Sequence, residues 1–308
     1  MRSEVTRLTL ANPAYPSCLK DLPDPPRQLY AIGDLGCLAP APAGLVAIVG
    51  TREASPYGVR VARALGRAFA EAGAIVVSGM ARGIDSAAHE GALEAGGRTV
   101  AVLGTGPDVP YPVANRGLHD RVAAGGLILS ESEPGRGAFK GCFPRRNRII
   151  AALARATIVV EAGHKSGALN TAGQATDLGR VVAAVPGPID APRSAGANHL
   201  LRDGGHVIAS IDDALSLLEL SRNRAVQRPD MGQVEAEVWD CLGEGELDVD
   251  VICVRSGLGV RQVLEAVGRL ELAGLVKRLP SGQIGRALVD DAGLVAADVD
   301  HRARRSHR

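Results

Sequence analysis

Aromatic rings and lysines are both in short supply in this sequence. Its 308 residues contain three Phe, four Tyr and one Trp, so any surface that stacks rings must be small. Only four of the 35 cationic side chains are lysines, and positive charge is carried almost wholly by arginine. An excess of either sign is also missing, since 35 Lys and Arg face 34 Asp and Glu for a formal net charge of +1. That excludes a coat of basic charge or an acidic tail, while leaving room for a local basic stripe. The five cysteines (Cys18, Cys37, Cys142, Cys241, Cys253) are scattered and form no Cys-x-x-Cys pair. A zinc site or disulfide framework is therefore not expected, and reduced thiols in a cytoplasmic protein are. Met1–Ser17 holds no continuous apolar run of the kind a signal peptide needs. No stretch reaches the roughly 18 apolar residues that cross a bilayer. The nearest, Leu35–Thr51, is broken by Gly36, Pro40, Pro42 and Gly44. What is present, 46% hydrophobic residues, suffices for the cores of about two soluble domains.

The pattern along the chain predicts how those domains are arranged. Residues 1–44 are rich in proline and read as a lead-in wrapped on the main body. From Leu45, short Val- and Ile-rich runs recur at Leu45–Gly50, Ala74–Gly79, Thr99–Gly104, Leu127–Glu131, Thr157–Ala162, Val181–Pro186 and His206–Ser210. Each closes on Gly, Ser, Pro or an acid, as buried parallel strands do. Helical spacing separates them, as at Val61, Leu65, Phe69 and Ala72. The alternation predicts an α/β domain over 45–220 with a doubly wound, mainly parallel sheet. A polar linker follows over 221–231. Residues 232–290 then offer three helices, the third with apolar Val260, Val263, Leu264, Val267 and Leu270, and a short hairpin. That is the winged-helix form of helix-turn-helix. The basic tail over 291–308, with four arginines and no acid after residue 300, is expected to be disordered.

Ligands of a doubly wound sheet sit beyond the carboxyl ends of its strands, so the loops there carry the functional information. The first of them reads Gly50-Thr51-Arg52-Glu53, not the Gly-x-Gly-x-x-Gly of a dinucleotide fold, and no acid closes the second strand to hold a ribose. A Gly-x-x-x-x-Gly-Lys-Ser/Thr run is also missing, so nicotinamide and nucleoside-triphosphate chemistry are disfavoured and no cofactor is expected. Ser78-Gly79-Met80-Ala81-Arg82-Gly83-Ile84-Asp85 exposes backbone N–H groups beside one arginine, a phosphate-binding arrangement, although Asp85 reads equally as a helix cap. Asp85 and His89 lie one helical turn apart; without a third ligand, a capping contact is the better reading than a metal site. Ser166–Thr171 is a second small-residue loop entering a helix, where Ser166 serves equally as an N-cap.

The densest signal is Gly135–Arg148, with Arg136, Lys140, Arg145, Arg146 and Arg148 and no acid. Phe139 and Phe143, two of the three phenylalanines, interrupt it. Arginine forks bind phosphate bidentately and a ring face stacks a base, so this loop points to nucleic acid, the alternative being core packing of one or both rings. Glu131, Glu133 and Glu161 stand at or near strand ends and two of them could pair as acid and base. No Ser–His–Asp grouping or Gly-x-Ser-x-Gly elbow accompanies them, and no catalytic residue is assigned.

These motifs together resemble the bacterial DNA-processing protein A family (DprA, also called Smf). The resemblance runs in order from Tyr15-Pro16, Asp24-Pro25-Pro26 and Leu29-Tyr30 through Val46–Arg52, Ser78–Asp85 with His89, and Gly104-x-Gly106 with Tyr111-Pro112. It continues through Phe143–Ile150, Val160-Glu161-Ala162, Ser166-Gly167, Thr171-Ala172 and Val185-Pro186-Gly187, with residues 232–290 like the family's winged helix. The resemblance implies an extended Rossmann-like domain that binds single-stranded DNA without catalysis, protects DNA entering during natural transformation and loads RecA recombinase. It further implies a homodimer joined through about Asn198–Leu220. Carried over residue by residue, it places Gly50, Arg52, Ser78, Gly79, Arg82, Lys140, Phe143, Arg145, Arg146, Asn147, Arg148, Ser166, Gly167 and Thr171 in the DNA groove. Members often carry a further helical domain before the lead-in; with only about a dozen residues before Tyr15, it is not expected in this sequence.

Two other readings compete. Related folds include phosphoribohydrolases of nucleoside monophosphates, of the "lysine decarboxylase-like" type. Their Pro-Gly-Gly-x-Gly-Thr loop has no counterpart here, the nearest run being Glu161-Ala162-Gly163-His164-Lys165-Ser166-Gly167. A duplex-reading winged helix is the third, but its exposed third helix sets Glu265 beside Arg261 and Arg269, and a protein-contact role suits it better.

Overall fold

The computed structural model describes residues 4–39, 43–220, 231–242, 247–273, 275–279 and 282–286. The expected linker at 221–230, the end of the hairpin beyond residue 286 and the tail at 291–308 lie outside the described residues. Contacts divide the chain into two compact units, Met1–Asn223 and Arg224–Arg308.

In the first unit the lead-in supplies β1 (Thr6–Thr9) and β2 (Gln28–Gly33). Then come β3 (Leu45–Val49), α1 (Pro56–Glu71), β4 (Ile75–Ser78), α2 (Ile84–Glu94) and β5 (Thr99–Leu103). The chain continues as α3 (Arg116–Gly125), β6 (Leu127–Ser130), α4 (Cys142–Leu153) and β7 (Ala156–Val159). It closes with α5 (Gly167–Asp177), β8 (Val181–Ala184), α6 (Ala195–Arg202), β9 (His206–Val207) and α7 (Ile211–Ser216). The nine strands form one sheet in the order β1-β2-β6-β5-β4-β3-β7-β8-β9, parallel from β6 to β9. The expected doubly wound, mainly parallel architecture is therefore present.

The lead-in departs from expectation. It is built into the sheet rather than laid over it, with β2 antiparallel to β6 and β1 antiparallel to β2. Pro13, Pro16, Pro23, Pro25 and Pro26 sit in the connection between the two strands, where a missing N–H removes no ladder bond. Tyr15 anchors that connection by donating to the Pro26 carbonyl at 2.7 Å, and burial pushes its phenol up to about 12.

Alternate strand residues face opposite layers, as the pleat requires. Ala47, Val49, Val77 and Val102 pack with Ile149 and Ile150 of α4, Ala172 of α5 and Leu8, Leu19 and Leu29 of the lead-in. Val46, Ile48, Val76 and Ile158 pack with Leu65 and Phe69 of α1 and Ala88 of α2 on the other face. Strands buried on both faces are hydrophobic throughout, which is why they read as continuous runs. The α1–α2 contact is close because glycine lies at the crossing. A Cβ on Gly66 would stand 2.2 Å from the Ala88 carbonyl oxygen, and one on Gly91 2.0 Å from that of Arg63.

The second unit holds α8 (Gln233–Leu242), α9 (Val249–Ser256), α10 (Val260–Leu272), β10 (Val276–Arg278) and β11 (Ile284–Arg286). The strands pair antiparallel and Leu247 bridges to Ile284, completing a winged helix. Its core collects Val238, Trp239, Ile252, Val263, Val267 and Leu270. Val260 and Leu264 are exposed, a correction to the apolar face expected for α10. Helical periodicity carries Leu264 away from the stripe that Val263, Val267 and Leu270 define, and Val260 is the first residue of the helix.

Candidate nucleic-acid interface

The chain runs outward from β3 through β4, β5 and β6, then returns to start β7 on the other side of β3. The loops after β3 and β7 therefore leave in opposite directions and open a crevice at this switch point. A groove of about 560 Å³ lies there, lined by Gly50–Glu53 after β3, Gly163–Ala168 after β7, and Phe143, Arg146 and Asn147 of α4. A second hollow of about 200 Å³ adjoins it, bounded by Arg82, Tyr111, Pro112 and Ala114 and sharing Arg52, Ala81, Phe143 and Arg146.

Arg52 and Phe143 are common to both, and with Tyr111 of the second hollow they form a column of three side chains. The Arg52 guanidinium lies 5.2 Å from the centre of the Phe143 ring, and Tyr111 stacks against Phe143 at 5.1 Å with planes 33° apart. Tyr111 is 39% exposed. Arg52, Arg82 and Lys140 are exposed without an ion-pair partner among the described residues. Ser166 caps α5 by accepting from Ala168 N–H, which leaves the amino end of α5 facing the groove.

Several expected groove residues instead hold the floor in place. Ser78 is fully buried and donates to the Ile48 carbonyl at 2.6 Å, so its hydroxyl does not reach the groove. Arg146 is only 6% exposed; its Nη1 donates to the Gly79 carbonyl at 2.6 Å and to the Val102 carbonyl. The last β4–β5 pair is Ser78 with Ala101, so this guanidinium joins the two strand ends where their ladder stops. Asp85 secures the same turn through the neighbouring peptides, accepting from Gly79 N–H and Ala81 N–H. Burial raises the Asp85 carboxyl from its ordinary value, against the opposing pull of Arg146 and those N–H groups. Arg146 is in turn lowered by burial and supported by Asp85.

Asn147 reaches across to α5, donating to the Gly167 carbonyl at 3.2 Å and Asn170 Oδ1 at 3.3 Å. Thr171 is buried beneath that turn. Arg148 spends its charge on both carboxylate oxygens of Glu131, and Arg145 meets the same carboxylate at 2.7 Å. The helical turn explains this sorting: Cys142–Leu153 is helix, so positions one apart in the basic run face different ways. Of the acids weighed as an acid–base pair, Glu131 is thus bridged by two arginines. Glu161 is held by Ser55, whose N–H and hydroxyl donate to it at 2.9 and 2.5 Å.

Asp85 and His89 do not cap together. The amino-terminal cap of α2 is Gly83, at φ 79 with only 2.4 Å between its would-be Cβ and the Thr51 carbonyl oxygen, so a side chain would collide with the first loop. His89 instead contacts Thr99 Oγ1 through Nδ1 at 2.7 Å. The Thr99 hydroxyl already donates to the Val76 carbonyl, so Nδ1 carries the proton and Nε2 is bare. Burial, then the nearby Arg146 charge, depress His89 to about 3.

Residue reasoning missed Tyr111 as a site residue. Its signals were the Tyr111-Pro112 motif of the resemblance and its position, in the loop beyond the carboxyl end of β5.

A Rossmann-like α/β unit with a basic groove at its switch point, walled by a ring column and followed by a winged helix, defines a class of nucleic-acid-processing protein. A model of the family described as DNA recombination-mediator protein A matches residues 6–219, and one of the DprA winged helix domain matches 222–282. The chain belongs to the DNA recombination-mediator protein A family. It is 44% identical over 260 residues to the putative DNA processing protein DprA of Mycobacterium tuberculosis, covering 82% of this chain and 67% of that one. It is 41% identical over 211 residues to DNA processing protein DprA of Streptococcus pneumoniae, covering 68% and 73%. The solved DprA structure from S. pneumoniae superposes with a TM-score of 0.66 at 40% identity, over 71% of this chain and 75% of that one. DNA processing protein A from Helicobacter pylori, solved for its single-stranded DNA binding mode, gives 0.63 at 35%, over 71% and 98%.

Proposed function

We propose that this protein binds single-stranded DNA in the switch-point groove, protects it and loads RecA recombinase onto it, acting as a cytoplasmic homodimer and not as an enzyme. The observation that carries the reading is the Tyr111–Phe143–Arg52 column, which offers a base a ring face and a phosphate an unpaired guanidinium within one wall. Arg52, Arg82 and Lys140 are the phosphate contacts, Phe143 the stacking face, and Gly50, Ser166 and Gly167 supply backbone at close approach. Gly79, Arg146, Asn147 and Thr171 act on DNA through the loops they position.

Support for a dimer through about Asn198–Leu220 comes from β9, a two-residue edge strand with both residues exposed. The winged helix is assigned to protein contact. Arg261 and Arg269 of α10 are already paired with Glu265 and Glu235, at 3.0 and 2.8 Å, while Val254, Val260, Leu264 and Leu272 are exposed.

Anisotropy titration with oligo-dT at two salt concentrations tests the core of this. Binding in the micromolar range or tighter, steeply salt-dependent and weaker for duplex, is expected. Absence of binding at low salt would refute it, and release of ribose phosphate from a nucleoside monophosphate would move the site to the phosphoribohydrolase class. Sedimentation tests the dimer, and RecA assembly on an oligonucleotide with and without the protein tests loading.

A further inference from the structure

The groove does not end at Phe143. A shallow hollow lined by Leu103, Glu131, Phe139, Cys142 and Arg145 touches it at Arg146. Through Glu131 and Arg145 that hollow opens in turn into a third, of about 480 Å³, bounded by Arg7, Asp24, Arg27 and Gln28. Neighbouring hollows therefore succeed one another, through shared lining residues, from the switch point to the lead-in. Phe139 stands beside the path, 38% exposed, with the Arg136 guanidinium 5.1 Å from its ring centre, repeating the cation-on-ring pairing of Arg52 and Phe143.

Topology places the lead-in at the right end of the sheet. Because β2 runs antiparallel to β6, with Tyr30 opposite Ser130, the start of β2 lies beside the carboxyl end of β6. Arg27 immediately precedes β2, and Arg7 of β1 pairs with Tyr30. Strand spacing near 4.8 Å puts β1 only about 10 Å from β6. Arg7 and Arg27 are exposed and have no ion-pair partner among the described residues. The charges facing them are Arg145, Asp24 and Glu131, and Glu131 is already neutralised by Arg145 and Arg148. Asp24 alone opposes an anion, so the patch is net positive. Two unpaired guanidinium groups on a concave surface have no structural task, and they suit phosphate.

We propose that Arg7 and Arg27 form a second phosphate-contact segment, on the lead-in ribbon, that carries a bound single strand from the groove past Phe139 to the sheet edge. This rests on the single-strand reading of the groove. Its signature is length dependence, since a short oligomer fills the groove without reaching the lead-in.

The test compares fluorescently labelled oligo-dT of about 6 and about 20 nucleotides on the full chain, over a salt series. Arg7→Thr with Arg27→Ser should leave the short oligomer unaffected. It should weaken the long one roughly five- to tenfold at low salt and reduce its log–log salt slope by about 1.4, at 0.7 per phosphate lost. Asp24→Asn should tighten the long oligomer alone, a gain that misfolding cannot produce. Equal affinity of the double variant and the wild type for the long oligomer would overturn the proposal, as would equal loss at both lengths. If the wild type binds the short oligomer and the double variant changes nothing, only the extension falls. If the wild type binds neither, the groove reading falls with it.

Discussion

Arg146 lies in the middle of the most basic segment of the chain, yet the structure makes it a scaffold residue, and Arg146→Met separates the two roles. The replacement keeps an unbranched apolar stem out to about the position of Nε and removes the guanidinium. Two buried carbonyl oxygens, Gly79 and Val102, lose their charged donor, at about 1–3 kcal/mol each. Asp85 also loses the nearest cation while remaining buried. Against this stands the relief of no longer burying a guanidinium. Deleting one partner of a buried charge pair has a net cost of about 3–5 kcal/mol, a large share of the 5–15 kcal/mol that holds a domain folded. Adding Asp85→Asn should recover at least about 1 kcal/mol, because no buried carboxylate is then left without its cation. Urea unfolding followed by far-UV circular dichroism measures the loss. Trp239, the one tryptophan, lies in the core of the second unit, so its fluorescence serves as an internal reference that should not shift. A variant of wild-type stability with reduced oligo-dT affinity and a salt slope lower by about 0.7 would refute the reasoning, since that is the signature of a lost phosphate contact.

Protonation of His89 gives a pH test. Unfolded histidine titrates near 6.5 while the buried ring stays neutral to about 3, so its contribution to stability is complete above about pH 6.5 and is lost as pH falls. About 2 kcal/mol should be gone by about pH 5, and His89→Gln should remove that part of the slope in urea midpoints taken at both pH values. Phe143→Ala should reduce oligo-dT affinity by about 1–3 kcal/mol with an unchanged salt slope, whereas Lys140→Ala should flatten the slope by about 0.7; the converse result in anisotropy titrations would exchange the two roles. Gly91→Ala should destabilise by about 1–3 kcal/mol or more, because its Cβ would stand 2.0 Å from backbone oxygen and α1 must move off α2. Gly117→Ala in α3, where nothing lies within 4 Å, should be neutral or stabilising by up to about 1 kcal/mol when both glycine variants are compared by urea unfolding.

The groove was legible because strand-end loops are written in a small alphabet. Gly50-Thr51-Arg52 and Ser166-Gly167 declare turns, and a basic run interrupted by phenylalanine declares affinity for nucleic acid. Legibility failed at the level of the individual side chain. Arg145, Arg146 and Arg148 look alike in the sequence, but the helix that begins at Cys142 turns each to a different partner. The lead-in was misread for a related reason. Proline density suggested irregular wrapping, and only pairing with β6 shows that its two short runs are strands.

By itself the sequence determined the strand–helix alternation, the doubly wound sheet, the winged helix and the family, because burial on both faces of a parallel sheet imposes continuous apolar runs whatever the packing details. It also determined that charge is local rather than general, five cations between residues 135 and 148 in a chain whose net charge is +1. Only the tertiary structure decided which cations are available to a ligand. Arg52, Lys140, Arg7 and Arg27 keep their charge free, while Arg146 and Arg148 are committed to carbonyl oxygens and a carboxylate from distant segments. The reason is physical: availability depends on what else reaches the same point in space, and the partners that decide it, Glu131, Gly79 and Val102, lie 17, 67 and 44 residues away along the chain.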